Sequence, residues 1–129
     1  MSGTGPVKDL AVLFETLELH QHDGVWAYDI QSDPVLPEGA IFLFREREGW
    51  SVLRPARVNE PVDNRWIWIE LTVHSDLHAV GFLAQIAKQL ADHGIPCNAI
   101  AAKHHDHLLI PEKAAERAQL ALRELIKNR

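Results

Sequence analysis

Cysteine is scarce in this chain. Cys97 is the one cysteine among 129 residues, so the sequence has no internal disulfide. It lies in an apolar run, which favours a small buried residue over a reactive thiol, because no neighbour in sequence would lower its pKa. No apolar run approaches the roughly 20 residues of a membrane-spanning helix, and Met1–Pro6 lacks the features of a signal peptide. We therefore expect a cytoplasmic protein without a membrane partner.

Basic residues are outnumbered. Lysine and arginine contribute 13 residues and aspartate and glutamate 18, which gives a formal net charge of -5. This balance disfavours nucleic acid as a partner, because general nucleic-acid binding needs a net basic surface. With 47% hydrophobic residues over this length, the chain has enough apolar side chains for one compact unit with a real core.

Catalytic motifs are missing as well. The chain has no nucleophile elbow, no P-loop, no GxGxxG fingerprint and no pair of carboxylates at a recognisable catalytic spacing. We therefore expect no enzyme, no catalytic residues and no cofactor. A site assembled from distant positions would leave no such motif, so a catalytic protein stays open as an alternative.

The first half of the chain carries one helical and three strand patterns. Apolar residues at helical spacing predict an amphipathic helix from Val7 to Leu19. Aromatic and β-branched runs, bounded by glycine and proline, predict strands at Val25–Ile30, Ala40–Phe44 and Trp50–Arg54. The strand Ala40–Phe44 is apolar on both faces, which favours a central position in a sheet.

The stretch Trp66–Val73 predicts a strand with two different faces. Alternate positions form an aliphatic face that should pack against helices, namely Ile67, Ile69, Leu71 and Val73. The opposite face carries Trp66 and Trp68. A helix should follow, with Ser75 or Asp76 as its N-cap and Gly94 as its stop. Its buried stripe is predicted at Leu83, Ile86, Ala87 and Leu90.

Two further strands and a helix complete the second half. Cys97–Ala102 and His105–Ile110 predict a hairpin, and Pro111 suits the first turn of a last helix. Strand-helix-strand-strand-helix is the ferredoxin-like arrangement with one strand missing, and Trp50–Arg54 could fill the vacancy. We predict an α+β protein of two ferredoxin-like halves, residues 1–60 and 61–129, fused into one unit, with antiparallel sheets packed by helices on one face.

Four short motifs resemble those of the ACT-domain family. They are, in chain order, Phe44–Gly49, His74–Gly81, Gly94–Asn98, and His105–His107 with Leu109–Pro111. The chain is most similar to small bacterial tandem-ACT proteins of uncharacterised function, which are related to CASTOR-type arginine sensors and to the ACT modules of aspartate kinase. It departs from them at Ala102–His104, where two basic side chains replace an aromatic pair.

This resemblance implies a ferredoxin-like fold, with residues 1–60 as a degenerate ACT-like half and residues 61–129 as an ACT domain. It also implies pairing of ACT units and binding of a small ligand, usually an amino acid, at the strand–helix loop. It implies a regulatory protein and no catalysis. An interaction module without a ligand is the further alternative.

The ligand site is expected at the loop between the Trp66–Val73 strand and the next helix. Backbone N–H groups at a helix start favour a carboxylate, and Asp76 could meet an ammonium or guanidinium group. The predicted ligand-binding residues are His74, Ser75, Asp76, Leu77, Val80, Gly81 and Asn98. The alternative is that Ser75 and Asp76 only cap the helix and that Gly81 eases packing.

Histidine suggests a metal site as an alternative function. His105 and His107 are two residues apart on a predicted strand, so their side chains share a face. Zinc needs three or four ligands, and the sequence shows no second clear pair, so we assign no metal.

The two tryptophans suggest a contact surface. Exposed aromatic side chains of this size are unusual on a monomer. Either the first half of the chain covers Trp66 and Trp68, or a second subunit does, because subunit interfaces favour aromatic residues. We expect a mixture of the two, with a homodimer formed through this face.

Overall fold

The computed structural model describes residues 5–128, which form an α+β protein with one curled antiparallel sheet. Two short 3₁₀ turns, Val62–Asn64 and Glu112–Ala114, accompany the regular elements. The helices and strands are α1 Leu10–Thr16, β1 Leu19–Gln21, β2 Trp26–Gln31, β3 Phe42–Glu46, β4 Gly49–Pro55, β5 Trp66–Leu71, α2 Phe82–Asp92, β6 Asn98–Ala101, β7 Asp106–Pro111 and α3 Ala115–Lys127. Over this described part of the chain, none of the helices has the length and apolar character needed to cross a membrane.

The sheet is organised around β5. The strand order is β3-β4-β2-β5-β7-β6, and β1 pairs with β5 outside this path. Strand β7 pairs with the whole of β5, so β1 and β2 share the other edge of β5. Strand β1 pairs with its C-terminal half, whereas β2 meets it only where Trp26 opposes Trp66 and then turns away to pair with β4. This change of partner curls the sheet.

The second half has the ferredoxin-like order, and β1 supplies the strand that it lacks. With β1 beside β5, the four strands run β6-β7-β5-β1 and carry α2 and α3. The prediction that Trp50–Arg54 fills the vacancy is wrong, because β4 pairs with β2 and β3. Strand β1 has only three residues, two of them polar, so the hydrophobic pattern does not mark it. The division into two ferredoxin-like halves at residue 60 stays a prediction.

Strand β3 is an edge strand. The prediction of a central position for Ala40–Phe44 is wrong, because within residues 5–128 β3 pairs with β4 alone, and Phe44 is 65% exposed. An apolar run indicates that a strand is hydrophobic, but it does not indicate whether one or both edges of that strand are paired.

Helix α1 is shorter than the predicted Val7–Leu19. It begins after Asp9, whose Oδ1 accepts the backbone N–H of Val12 at 3.1 Å, and it ends at Thr16. Val7 instead forms a parallel bridge with Ser75, and Leu19 belongs to β1. Pairing with the loop after β5 at one end and with β5 at the other therefore takes both ends of the apolar pattern out of the helix.

The sheet separates a large core from a small one. The predicted aliphatic face of β5 is confirmed, because Ile67, Ile69 and Leu71 lie in the large core with the helices. In α2 the buried residues are Phe82, Ile86 and Leu90, whereas Ala87, expected in the stripe, is exposed. The small core on the other face consists of Trp26, Leu53 and Leu109, with Trp66 and Trp68 half-buried against them. The first half thus covers much of the tryptophan face.

Candidate functional site

The loop after β5 is not the start of a helix. Helix α2 begins at Phe82, and Gly81 is its N-cap, with φ of 91° and no side-chain capping bond. This left-handed conformation favours glycine. Ser75 Oγ donates to Asp106 Oδ2 at 3.0 Å, and both residues are buried. Asp76 Oδ1 accepts the N–H of His78 at 2.7 Å. The prediction that Ser75 or Asp76 caps the helix is therefore wrong, and both side chains fix the shape of the loop.

The segment before α1 braces the same loop. Val7 donates its N–H to the carbonyl of His74 and accepts the N–H of Asp76, both at 2.8 Å. These two bonds form the parallel bridge between Val7 and Ser75. The loop is thus held by two other segments, namely β7, through Asp106, and the segment before α1, through Val7.

Two clefts meet at this corner. The loop cleft has a volume of about 250 Å³ and is lined by Pro6, His74, Ser75, Asp76, Leu77, His78, Lys103 and His104. The helix cleft, beside α1, is about 580 Å³ and is lined by Val7, Val12, Thr16, Glu18, Thr72, Val73, His74, His104 and His105. His74 and His104 line both clefts, and His104 Nδ1 lies 3.3 Å from His74 Nε2. The helix cleft lies within the range of about 300–1,000 Å³ that is typical of small-molecule sites, and the loop cleft lies just below this range.

The structure brings together four of the seven predicted ligand residues. His74, Ser75, Asp76 and Leu77 line the loop cleft. Val80 and Gly81 line neither cleft, and Val80 is 85% exposed.

Asn98 lies away from this corner. It pairs with Leu109 of the small core, at the other end of β6 from the loop, and its side chain bonds with Tyr28. The residue pairs of β6 and β7 place Asn98 on the face opposite Asp106, because three positions separate them along β7. Asn98 therefore cannot share a ligand with Ser75 in the described arrangement.

Lys103 and His104 line the loop cleft although they are not among the predicted ligand-binding residues. They lie in the turn between β6 and β7. The one signal in the sequence was that residues Ala102–His104 differ from the pattern of the family that the chain resembles. The sequence does not show that this turn lies beside the loop after β5. Antiparallel pairing of β7 with β5 places the start of β7 beside the end of β5, so the β6–β7 turn and the loop after β5 lie at the same end of the sheet.

Histidines also surround Glu70 on the small-core face of the sheet. His22 Nε2 donates to Glu70 Oε1 at 3.0 Å, and His105 Nδ1 lies 3.7 Å from Glu70 Oε2. Trp68 Nε1 donates to His107 Nδ1 at 2.9 Å, and the His22 ring stacks on Trp68 with 3.5 Å between centroids. His105 and His107 share a face, as predicted, with their rings 6.4 Å apart.

This histidine group is linked by hydrogen bonds and ring contacts. Among residues 5–128, no three histidine, cysteine or acidic side chains are arranged to hold a metal ion. His107 Nδ1 already accepts a hydrogen bond from Trp68 Nε1. The alternative of a metal site at His105 and His107 thus gains no support from their positions.

Cys97 is half-buried and packs against the large core. Burial raises the pKa of its thiol to about 11. The thiol is therefore protonated at neutral pH, which agrees with a packing residue and gives no support to a reactive thiol.

Two pKa shifts predict that the protein loses stability in acid. Burial, with the charges of His105 and His22, lowers the pKa of His107, although Glu70 and Asp106 act in the opposite direction. Burial alone would raise the pKa of Glu70, but the His22 hydrogen bond and the charges of His105, His107 and His22 outweigh it and lower this pKa. In both cases the unfolded chain binds the proton more readily than the folded one.

The sign follows from linkage. His107 favours the folded state fully above the ordinary histidine pKa of about 6.5, and this contribution is lost as the pH falls below it. Glu70 adds a second loss near and below its ordinary pKa. Urea unfolding between pH 8 and 5 should show the free energy of unfolding falling with pH, and His107→Gln should flatten the dependence near pH 6. The exposed His93→Gln is the control. An equal slope in His107→Gln would contradict the assignment.

The second half of the chain matches a known domain family. Residues 64–124 match the family model of the ACT domain. This range contains β5, α2, β6 and β7, with most of α3, and so includes the loop after β5 and the histidines His104, His105 and His107.

The solved structures extend this match over nearly the whole chain. A Vibrio cholerae protein of unknown function, VC0802, described as a possible transport protein, is 31% identical, with 88% of this chain and 92% of that chain covered and a TM-score of 0.73. The chain belongs to the family of that protein, with an ACT domain in its second half. No curated protein matches the sequence significantly.

Two more distant structures share the fold. Atu0741 from Agrobacterium tumefaciens is 17% identical with a TM-score of 0.65, covering 84% of this chain and 87% of its own. The aspartokinase alpha and beta subunits are 14% identical with a TM-score of 0.58, covering 86% and 97%. These two show the likeness of the fold alone.

Proposed function

We propose that this protein is a regulatory module that binds a small ligand, an amino acid, in the loop cleft. The ACT domain at residues 64–124 supports the regulatory class. The observation that carries the location is the convergence of His74 and Asp76, from the loop after β5, with Lys103 and His104, from the turn before β7, around one cleft. We include no catalytic step in the proposal.

The chemistry of the cleft suits an α-amino acid. Asp76 Oδ1 is engaged by the loop backbone, and among the described residues Oδ2 has no hydrogen-bond partner, so Oδ2 can accept an ammonium group. Lys103 offers a positive charge for a carboxylate from the facing turn. A charge-assisted hydrogen bond is about twice as strong as a neutral one, so a zwitterion that spans the cleft gains at both ends.

The regulation would act through the bracing of the loop. A ligand in the cleft contacts the loop, the β6–β7 turn and Pro6, which is next to the Val7 bridge. It would stabilise the arrangement in which these three segments are together, and a partner that recognises that arrangement would respond.

We further propose that the protein forms a homodimer through the part of the tryptophan face that the first half leaves accessible. Trp66 and Trp68 stay half-buried although Trp26 and Tyr28 pack against them. Light scattering at micromolar concentration should give twice the chain mass of 14.6 kDa, and a monomer would contradict this proposal.

A panel of the twenty amino acids tests the proposed function. Each is added at millimolar concentration, and the melting temperature is measured. A ligand that binds only the folded state at a hundred times its Kd stabilises by about 2.7 kcal/mol, which for a chain of this size raises the melting temperature by several degrees. We expect a rise for at least one amino acid. Equal melting temperatures across the panel would favour the alternative of an interaction module without a ligand.

A further inference from the structure

Among the side chains that line the loop cleft, acidic groups are outnumbered by lysine and histidine, and this balance bears on the class of ligand. Asp76 is the one acidic side chain among the lining residues, against Lys103 and the histidines His74, His78 and His104. In the adjoining helix cleft, Glu18 is the acid and His105 adds a further histidine. The other nearby acids are already engaged, because Asp106 accepts Ser75 and Glu70 lies between His22 and His105.

The pair formed by His74 and His104 can offer an N–H donor to a ligand while it keeps its mutual contact. A hydrogen bond between two imidazole nitrogens needs one nitrogen with a proton and one without. When His104 Nδ1 is the acceptor in its 3.3 Å contact with His74 Nε2, the ring proton of His104 is on Nε2 and can be donated to a ligand oxygen. The pair lies on the shared wall of the two clefts.

We propose that the loop cleft selects an acidic amino acid, with its α-ammonium on Asp76 and its side-chain carboxylate on Lys103 and the His74–His104 pair. This inference rests on the proposed function and names the substrate class of the same site. If Asp76 takes the ammonium group, the remaining cleft contains cationic or proton-donating side chains but no second acid. A side-chain carboxylate is the group that these partners stabilise most, since a hydrogen bond to a charged group is stronger than one to a neutral amide.

Acidic amino acids and their amides provide the test, because they have nearly equal size. Calorimetric titration at pH 7 and low salt compares glutamate and aspartate with glutamine and asparagine, and also with arginine, succinate and inorganic phosphate. We expect an acidic amino acid to bind about tenfold or more tightly than its amide, which is the effect of one charge-assisted contact. Succinate and phosphate, which lack the ammonium group, should bind more weakly than the acidic amino acid.

Variants assign the two ends of the ligand. Lys103 is exposed in a turn, so Lys103→Met should fold normally and should weaken the acidic amino acid about tenfold while leaving its amide nearly unchanged. Asp76→Asn keeps the Oδ1 acceptor for the loop and should weaken every amino acid but not succinate. Lys88→Met removes an exposed lysine on α2 and should change none of these affinities.

The outcomes separate this inference from the proposed function. If no amino acid binds, the proposed function itself fails. If an amide, arginine or phosphate binds as tightly as the acidic amino acid, or if Lys103→Met has no selective effect, the acidic class is overturned. In the case of an amide or arginine, the binding module would remain.

Discussion

Replacing Ile69 by alanine should lower the free energy of unfolding by about 2–5 kcal/mol, the usual range for an aliphatic side chain in a core. Ile69 is fully buried at the centre of β5, which is paired with β7 along one edge and with β1 along the other. Its backbone therefore cannot shift to fill the space that the alanine leaves, and the loss should lie in the upper half of this range.

Urea unfolding monitored by circular dichroism measures this loss. Leu120→Ala is the matched control, because Leu120 lies on α3 with 61% of its surface exposed. The control should change the free energy by less than about 0.5 kcal/mol. The total free energy of unfolding of a small protein is only about 5–15 kcal/mol, so Ile69→Ala should clearly lower the urea concentration at the unfolding midpoint. A loss as small as that of the control would mean that β5 is not central to the core.

The sequence predicts β5 well because one strong signal defines it. Alternation between Ile67, Trp68 and Ile69 has the period of a strand, and both faces are apolar enough to be covered. The observed burial alternates with the same period. Helix α2, the β6–β7 hairpin and the last helix follow from similar local patterns, so the second half is confirmed as ferredoxin-like.

Pairing partners are harder to predict than elements. Strand β1 has no apolar pattern and exists because the free edge of β5 supplies its hydrogen bonds. The bond from the Thr72 N–H to the carbonyl of Glu18 continues this pairing just beyond both strands. The edge position of β3 and the early end of α1 have the same origin. Each depends on which other segment is adjacent, and residues far apart in sequence decide that.

The candidate site shows the same limit. The structure has a loop between β5 and α2, as predicted, but Ser75 does not cap the helix, because its side chain turns inward to Asp106, which is 31 positions away. Lys103 becomes a site candidate only when the β6–β7 turn is placed beside this loop. Family resemblance supplied the loop, whereas the opposing wall of the cleft needed the fold.

Trp68→Ala should cost about 3 kcal/mol, near the lower end for the loss of a large aromatic side chain, because Trp68 is only half-buried. Three contacts are lost together. The indole stacks on His22, meets Trp26 edge-on with 5.4 Å between centroids, and donates to His107 Nδ1. These contacts join the segment between β1 and β2 to β5 and β7, so the loss should weaken the packing of this segment against the curled sheet.

Two variants separate packing from the hydrogen bond. Trp68→Phe keeps an aromatic ring but removes the Nε1–H donor, so it should cost about 1 kcal/mol, the usual net worth of one hydrogen bond. Trp50→Ala is the control of the same residue type, because Trp50 is also half-buried but belongs to neither core cluster. It should cost clearly less than Trp68→Ala, and an equal cost would contradict the special role of Trp68.

Trp68→Ala also shows whether the tryptophan face packs only within one chain or forms a subunit interface as well. In a homodimer formed through Trp66 and Trp68, the unfolding midpoint of the wild type rises with protein concentration, since association stabilises the folded chain. Trp68→Ala should then abolish the concentration dependence as well as lowering the midpoint. If the midpoint falls by the same amount at every concentration, Trp68 acts within one chain, and the face that it shares with His22 and His107 is complete without a second subunit.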